Sequence, residues 1–70
     1  MRYTVILEQG ETSCGAYVPD LPGCIAAGET REEALELIAE AVALHIEDLR
    51  ERGERVPAPH SLIETVDVAA

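Results

Sequence analysis

The chain has no tryptophan, no phenylalanine and no lysine, and only two tyrosines, two cysteines and one methionine in 70 residues. Each shortage closes something off. Without large aromatics, a core must be assembled from Val, Ile, Leu and Ala. Two cysteines without Cys-x-x-Cys spacing, and two histidines far apart, do not supply the four convergent ligands of a structural zinc site. Arginine provides all five basic residues against 14 acidic ones, for a net charge of −9. Phosphate contacts need clustered positive charge, so direct nucleic-acid binding is not expected. No apolar run approaches the ~20 residues that span a bilayer, and no membrane segment is expected. The opening Met1-Arg2-Tyr3-Thr4-Val5 lacks the apolar stretch and small-residue cleavage site of a signal peptide, which makes a cytoplasmic location the expectation.

What remains is globular in character: 47% hydrophobic and 27% charged residues are too apolar for disorder. Residues 1–70 read as one small domain. A chain of this size buries only ~60% of the surface its unfolded form exposes. Its core rarely supplies more than ~3–5 kcal/mol, so a disulfide, a metal or self-association usually helps. The excess negative charge serves either solubility or the steering of a basic protein partner.

Tyr3 to Leu7 alternates and is rich in β-branched residues, which predicts a strand. Gly10-Glu11 suits a two-residue type II′ hairpin turn. Ser13 to Val18 reads as a second strand. Pro19 to Gly23 ends it, because neither Pro19 nor Pro22 can donate to a ladder and Gly23 permits a tight turn. Cys24 to Gly28 is a weaker third strand. Thr30 reads as a helix N-cap and Glu33, three residues on, completes a capping box. The helix should run from about Arg31 to about Arg52, with Gly53 as the left-handed residue that follows it. Leu62 to Val68 reads as a fourth strand.

These turns assign faces. They place Leu7 opposite Cys14, Val5 opposite Ala16 and Tyr3 opposite Val18, then Val18 opposite Cys24 and Ala16 opposite Ala26. Side chains alternate. One face therefore gathers Tyr3, Val5, Leu7, Cys14, Ala16, Val18, Cys24 and Ala26, with Val66 and Val68 joining from the last strand. Leu35, Ile38, Ala41, Val42, His45 and Leu49 form the matching helix face. Leu37, Leu44 and Ile46 widen that arc beyond what one sheet covers. This surplus predicts a homodimer or higher homo-oligomer. The opposite sheet face carries Thr4, Ile6, Tyr17, Ile25, Ala27 and Ile63, and no second helix exists to cover it.

Catalytic chemistry is sparse. Cys14 and Cys24 share a face but lie about four residues out of register, roughly 13 Å apart at the strand rise, too far for a disulfide. They read as buried thiols. His45 is either a catalytic base or ligand, or a core or interface histidine bonded to a backbone group. No Ser or Cys stands near it in sequence, and the core reading is preferred. Glu36, Glu40 and Glu47 form a helix stripe that is either solvated or presented to a basic partner. A metal-dependent nuclease would need carboxylates converging on the sheet, and strand one has none before Glu8. No catalytic, metal or cofactor residue is assigned, and no enzymatic activity is expected.

The stretch Tyr17-Val18-Pro19-Asp20-Leu21-Pro22-Gly23-Cys24, followed by Gly28-x-Thr30-x-x-Glu33-Ala34 and by Gly53-Glu54-x-Val56-Pro57-x-Pro59, resembles the HicB-like antitoxin family over about residues 3–68. The resemblance implies an α+β fold: a β-β-β-α-β partial ribonuclease H-like domain, with one helix on a mostly antiparallel four-stranded sheet. It implies an antitoxin that binds and neutralises HicA, a small basic toxin that cleaves messenger RNA. The alternative is a stand-alone protein- or ligand-binding module of the same fold. Face assignment nominates Ile6, Tyr17, Ile25 and Ile63, with Asp20 in the loop, as the partner surface. Pro19, Pro22, Gly23, Thr30, Glu33 and Gly53 are read as structural.

Overall fold

The computed structural model describes residues 1–69. Three short strands, β1 (Ile6–Gln9), β2 (Cys14–Tyr17) and β3 (Ile25–Gly28), form an antiparallel sheet in sequential order. One helix, α1 (Arg31–Glu51), packs on one face of it.

The β1–β2 hairpin is built differently from the expected two-residue turn. Gln9 pairs with Cys14, which leaves a four-residue loop, and every β1 residue is displaced by two positions from the expected partner. Gly10 does not take the positive φ that a type II′ turn requires there. Its N–H instead donates to the Ser13 carbonyl at 2.8 Å. The Gln9 side-chain amide bridges the carbonyls of Gly10 and Ser13 and completes the loop. A shift of two preserves parity, so each side chain keeps its face. The β2–β3 register matches expectation, with Ala16 opposite Ala26.

Two consecutive turns connect β2 to β3. The Leu21 N–H donates to Val18 O and the Cys24 N–H donates to Leu21 O, at 3.1 and 3.0 Å. Pro19 and Pro22 each occupy the second position of a turn, where their fixed φ is favourable. Gly23, at φ 84°, supplies the third position of a type II turn. Val18 N–H to Cys24 O, 3.2 Å, closes the whole loop. Leu21 at its centre points inward and is fully buried.

Both helix ends are capped by the residues the sequence nominates. Thr30 Oγ1 accepts the Glu33 N–H at 3.1 Å. The Glu33 carboxylate reaches back to the N–H of Glu29, one residue before the position of a standard capping box. At the other end Gly53 has φ 71°, its N–H donates to Arg50 O, and the Glu54 N–H donates to Leu49 O. This is the Schellman arrangement.

The core is Cys14, Ala16, Val18, Leu21, Cys24, Ala34 and Ile38, with Tyr3, Val5, Leu7, Ala26, Ala41, Val42 and Ile46 packed around it. The helix is rotated relative to expectation. Ala34 is buried and Leu35 is 41% exposed. The cause lies at Gly28, where a Cβ would stand 2.7 Å from the backbone N of Ala34 and 3.0 Å from Glu33 Cβ. The helix enters against a bare strand backbone and turns its smallest apolar residue toward it. Gly28→Ala should therefore cost about 1–3 kcal/mol through overpacking. A thermal melt checks this, with a drop of several degrees expected for a domain of this size.

The expected fourth strand does not form among the described residues. The sheet has three strands, and residues 55–69 make no backbone–backbone hydrogen bond. The four-stranded β-β-β-α-β arrangement, and the ribonuclease H-like assignment with it, are not supported; the α+β class holds. Strand propensity describes fit to a half-buried pleated surface. Leu62, Ile63, Val66 and Val68 instead lie 75–87% exposed, and Val66 and Val68 do not join the core.

Candidate functional site

No cavity opens among the described residues, and the candidate site is a surface. On the sheet face that α1 leaves open, Tyr17 pairs with Ile6 on one side and with Ile25 on the other. The three side chains make a continuous row across all three strands, about 10 Å wide at the usual strand spacing. Tyr17 is 37% exposed and Ile25 71%. In the adjacent row Glu8, Gly15 and Ala27 lie side by side, a low shelf with one carboxylate at its β1 end. An apolar ridge of this kind, bordered by small and acidic residues, suits a protein surface better than a small molecule. Ile63 is not part of the row; it stands in the exposed tail.

Asp20 is placed otherwise than a loop contact residue would be. It is buried. Its Oδ2 accepts the N–H groups of His60 (2.9 Å) and Ser61 (3.1 Å), and its Oδ1 accepts the Ser61 hydroxyl at 2.6 Å. His60 Nε2 stands 3.2 Å from Oδ1 at the surface, and Nδ1 lies 3.0 Å from Ala58 O. Thr4 Oγ1 donates to Ser61 O and the Tyr3 hydroxyl donates to Pro57 O. The carboxylate thus fastens residues 60 and 61 to the β2–β3 turn, while the Tyr3 and Thr4 hydroxyls tie residues 57 and 61 to the start of the chain.

The Ser61 hydroxyl bond holds the Asp20 carboxyl below its ordinary pKa; burial opposes this, and the backbone N–H groups of His60 and Ser61 reinforce it. A carboxyl with a lowered folded-state pKa contributes stability above its unfolded value, near ~3.9, and loses it as pH falls through the folded value. The stability advantage of wild type over Asp20→Asn should therefore be full at neutral pH and shrink below about pH 4. Paired melts across an acid series read this difference directly.

The remaining candidates are quieter. Cys14 and Cys24 are free buried thiols, and burial pushes the Cys24 thiol up, which disfavours the reactive thiolate. His45 is half-buried on the helix flank, and its ring makes no hydrogen bond among the described residues, in place of the expected backbone partner. Glu36, Glu40 and Glu47 are exposed, as are Leu35, Leu37 and Leu44. Asp48 and Arg52 pair at 2.9 Å near the helix end; at such exposure the pair contributes ~1 kcal/mol at most. No group of three His, Cys, Asp or Glu side chains gathers as for a metal among the described residues. Among the described residues, no helix is long and apolar enough to cross a membrane.

The sequence matches the family described as HicB-like antitoxin of bacterial toxin-antitoxin systems over residues 3–69. It is 45% identical over 60 residues to a UPF0150 protein of Thermoplasma acidophilum, covering 81% of this chain and 84% of that protein. It is 38% identical over 69 residues to a UPF0150 protein of Synechocystis, covering 96% and 86%. It is 43% identical over 61 residues to antitoxin HicB 1 of Photorhabdus laumondii, covering 84% of this chain but 39% of that longer protein. The family motif falls on the double turn and the capped helix, and the matched span takes in the open sheet row as well. The chain belongs to the HicB-like antitoxin family of bacterial toxin-antitoxin systems.

Proposed function

We propose that this protein neutralises a small basic HicA-type toxin that cleaves messenger RNA, by covering part of it with the open face of its sheet. The observation that carries the reading is the Ile6–Tyr17–Ile25 row, uncovered by the helix, on a chain with a net charge of −9. The charge brings a basic partner in by long-range attraction and the apolar row holds it. The protein works as a binder and not as an enzyme. It needs no cofactor, makes no direct contact with nucleic acid, and acts in the cytoplasm with its target. Co-expression with a toxic basic protein encoded beside it should restore growth. Unchanged toxicity would contradict the reading and leave the same face to a different protein partner.

A further inference from the structure

We infer that the outer flank of α1 is a second docking surface, and that its occupant is a cationic amphipathic helix of a protein partner. The flank lies across the sheet from the Ile6–Tyr17–Ile25 row and does not depend on the toxin reading. α1 buries Ala34 and Ile38 and packs Ala41, Val42 and Ile46 around the core. Leu37 and Leu44 fall to one side of that face, about 20° apart at 100° per residue. Leu44 is 66% exposed and Leu37 37%. With the half-buried Ala41 between them they form an apolar seam, spaced by four and then three residues. It is about 10 Å long at the helical rise. Four-three spacing is the one by which a helix receives the side chains of another helix.

What borders the seam says which helix. Glu33 and Glu40 stand one turn before and after Leu37, and Glu40, Glu47 and Asp48 stand one turn from Leu44. All four carboxylates are exposed. Arg52 takes up Asp48, whereas Glu40 and Glu47 make no ion pair among the described residues. The arginines within α1, Arg31 and Arg50, project about 130° round the helix from the seam. The flank is therefore apolar along its middle and negative along its borders. A helix with leucines on one face and arginine or lysine beside them meets the seam with the first and the carboxylates with the second. A second copy of the same flank would set carboxylate against carboxylate, and anionic lipid or nucleic acid would be repelled. A contact of two helical turns is small, which suits a transient complex.

Titration of the full chain with a synthetic peptide tests this. The probe is three heptads long, with leucine at the a and d positions and arginine at e and g. A peptide of the same composition in scrambled order is the comparison. The ordered peptide should bind one to one and gain helix signal by circular dichroism. In NMR spectra of the labelled chain, the signals of Leu37, Glu40 and Leu44 should shift while those of Ile6 and Ile25 stay in place. Leu44→Gln should weaken binding by roughly tenfold or more. Glu40→Gln combined with Glu47→Gln should weaken it by roughly threefold and flatten its salt dependence. Leu44, Glu40 and Glu47 lie outside the core, so the melts of these variants should match wild type. An ordered peptide that does not bind, a scrambled peptide that binds as tightly, or undiminished affinity in Leu44→Gln overturns the inference. So do shifts at Ile6 and Ile25 in place of the helix, which would put the peptide on the sheet row.

Discussion

Leu21→Ala should leave the domain largely unfolded at room temperature. Leu21 is 0% exposed and sits at the centre of the double turn, where three backbone hydrogen bonds hold it in place. Truncating a buried leucine costs about 2–5 kcal/mol, the higher values where the surroundings cannot collapse into the cavity. Here they cannot easily do so, because Pro19 and Pro22 fix the backbone on both sides. A single core in a chain this short supplies only ~3–5 kcal/mol, and the substitution removes most of it. Far-UV circular dichroism with a thermal melt reads the result. Arg55→Ala is the control: that side chain is exposed and packs against none of the core, and the melt should not move. A Leu21→Ala protein that melts like wild type would show that the turn is not anchored by its central residue.

The second large effect is expected on binding. Tyr17 is central in the row, flanked by Ile6 and Ile25, and central aromatic residues carry a disproportionate share of interface energy. Tyr17→Ala should weaken association with the proposed basic toxin by about 2 kcal/mol or more, roughly 30-fold. Ile25→Ala, toward the edge of the sheet, should weaken it less. Both residues face away from the helix, so the melting temperature should change far less than for Leu21→Ala. Calorimetric titration against the toxin separates the two effects. Equal loss of affinity and of stability in Tyr17→Ala would assign the residue to the fold instead of the interface.

Much of the fold could be read in the sequence because its signals are local. The two prolines and Gly23 prescribe the double turn within a few residues, and Thr30, Glu33 and Gly53 mark both helix ends in the same way. Side-chain faces follow the expected alternation because the β1–β2 register differs from expectation by two positions, an even number. What was missed depends on distant partners. Asp20 looked like an exposed loop acid, yet the donors that bury it lie 40 and 41 residues away. The helix rotation follows from one glycine on a strand, Gly28, meeting the first turn of the helix. Leu62 to Val68 has the composition of a strand and finds no edge in its own chain. Of the nominated partner residues, Ile6, Tyr17 and Ile25 fall in one row through the strand register. Asp20 and Ile63 fall elsewhere, for reasons that no local pattern encodes.

The five isoleucines of this chain occupy distinct environments. Ile6 and Ile25 are in the open row, Ile38 is 1% exposed between helix and sheet, Ile46 is packed at the core margin and Ile63 is in the exposed tail. Methyl-labelled isoleucine NMR of the full chain, titrated with the proposed basic toxin, therefore tests the central claim directly. The account predicts that the Ile6 and Ile25 signals shift on binding while Ile38 stays in place. A complex that forms with Ile6 and Ile25 unmoved would contradict it.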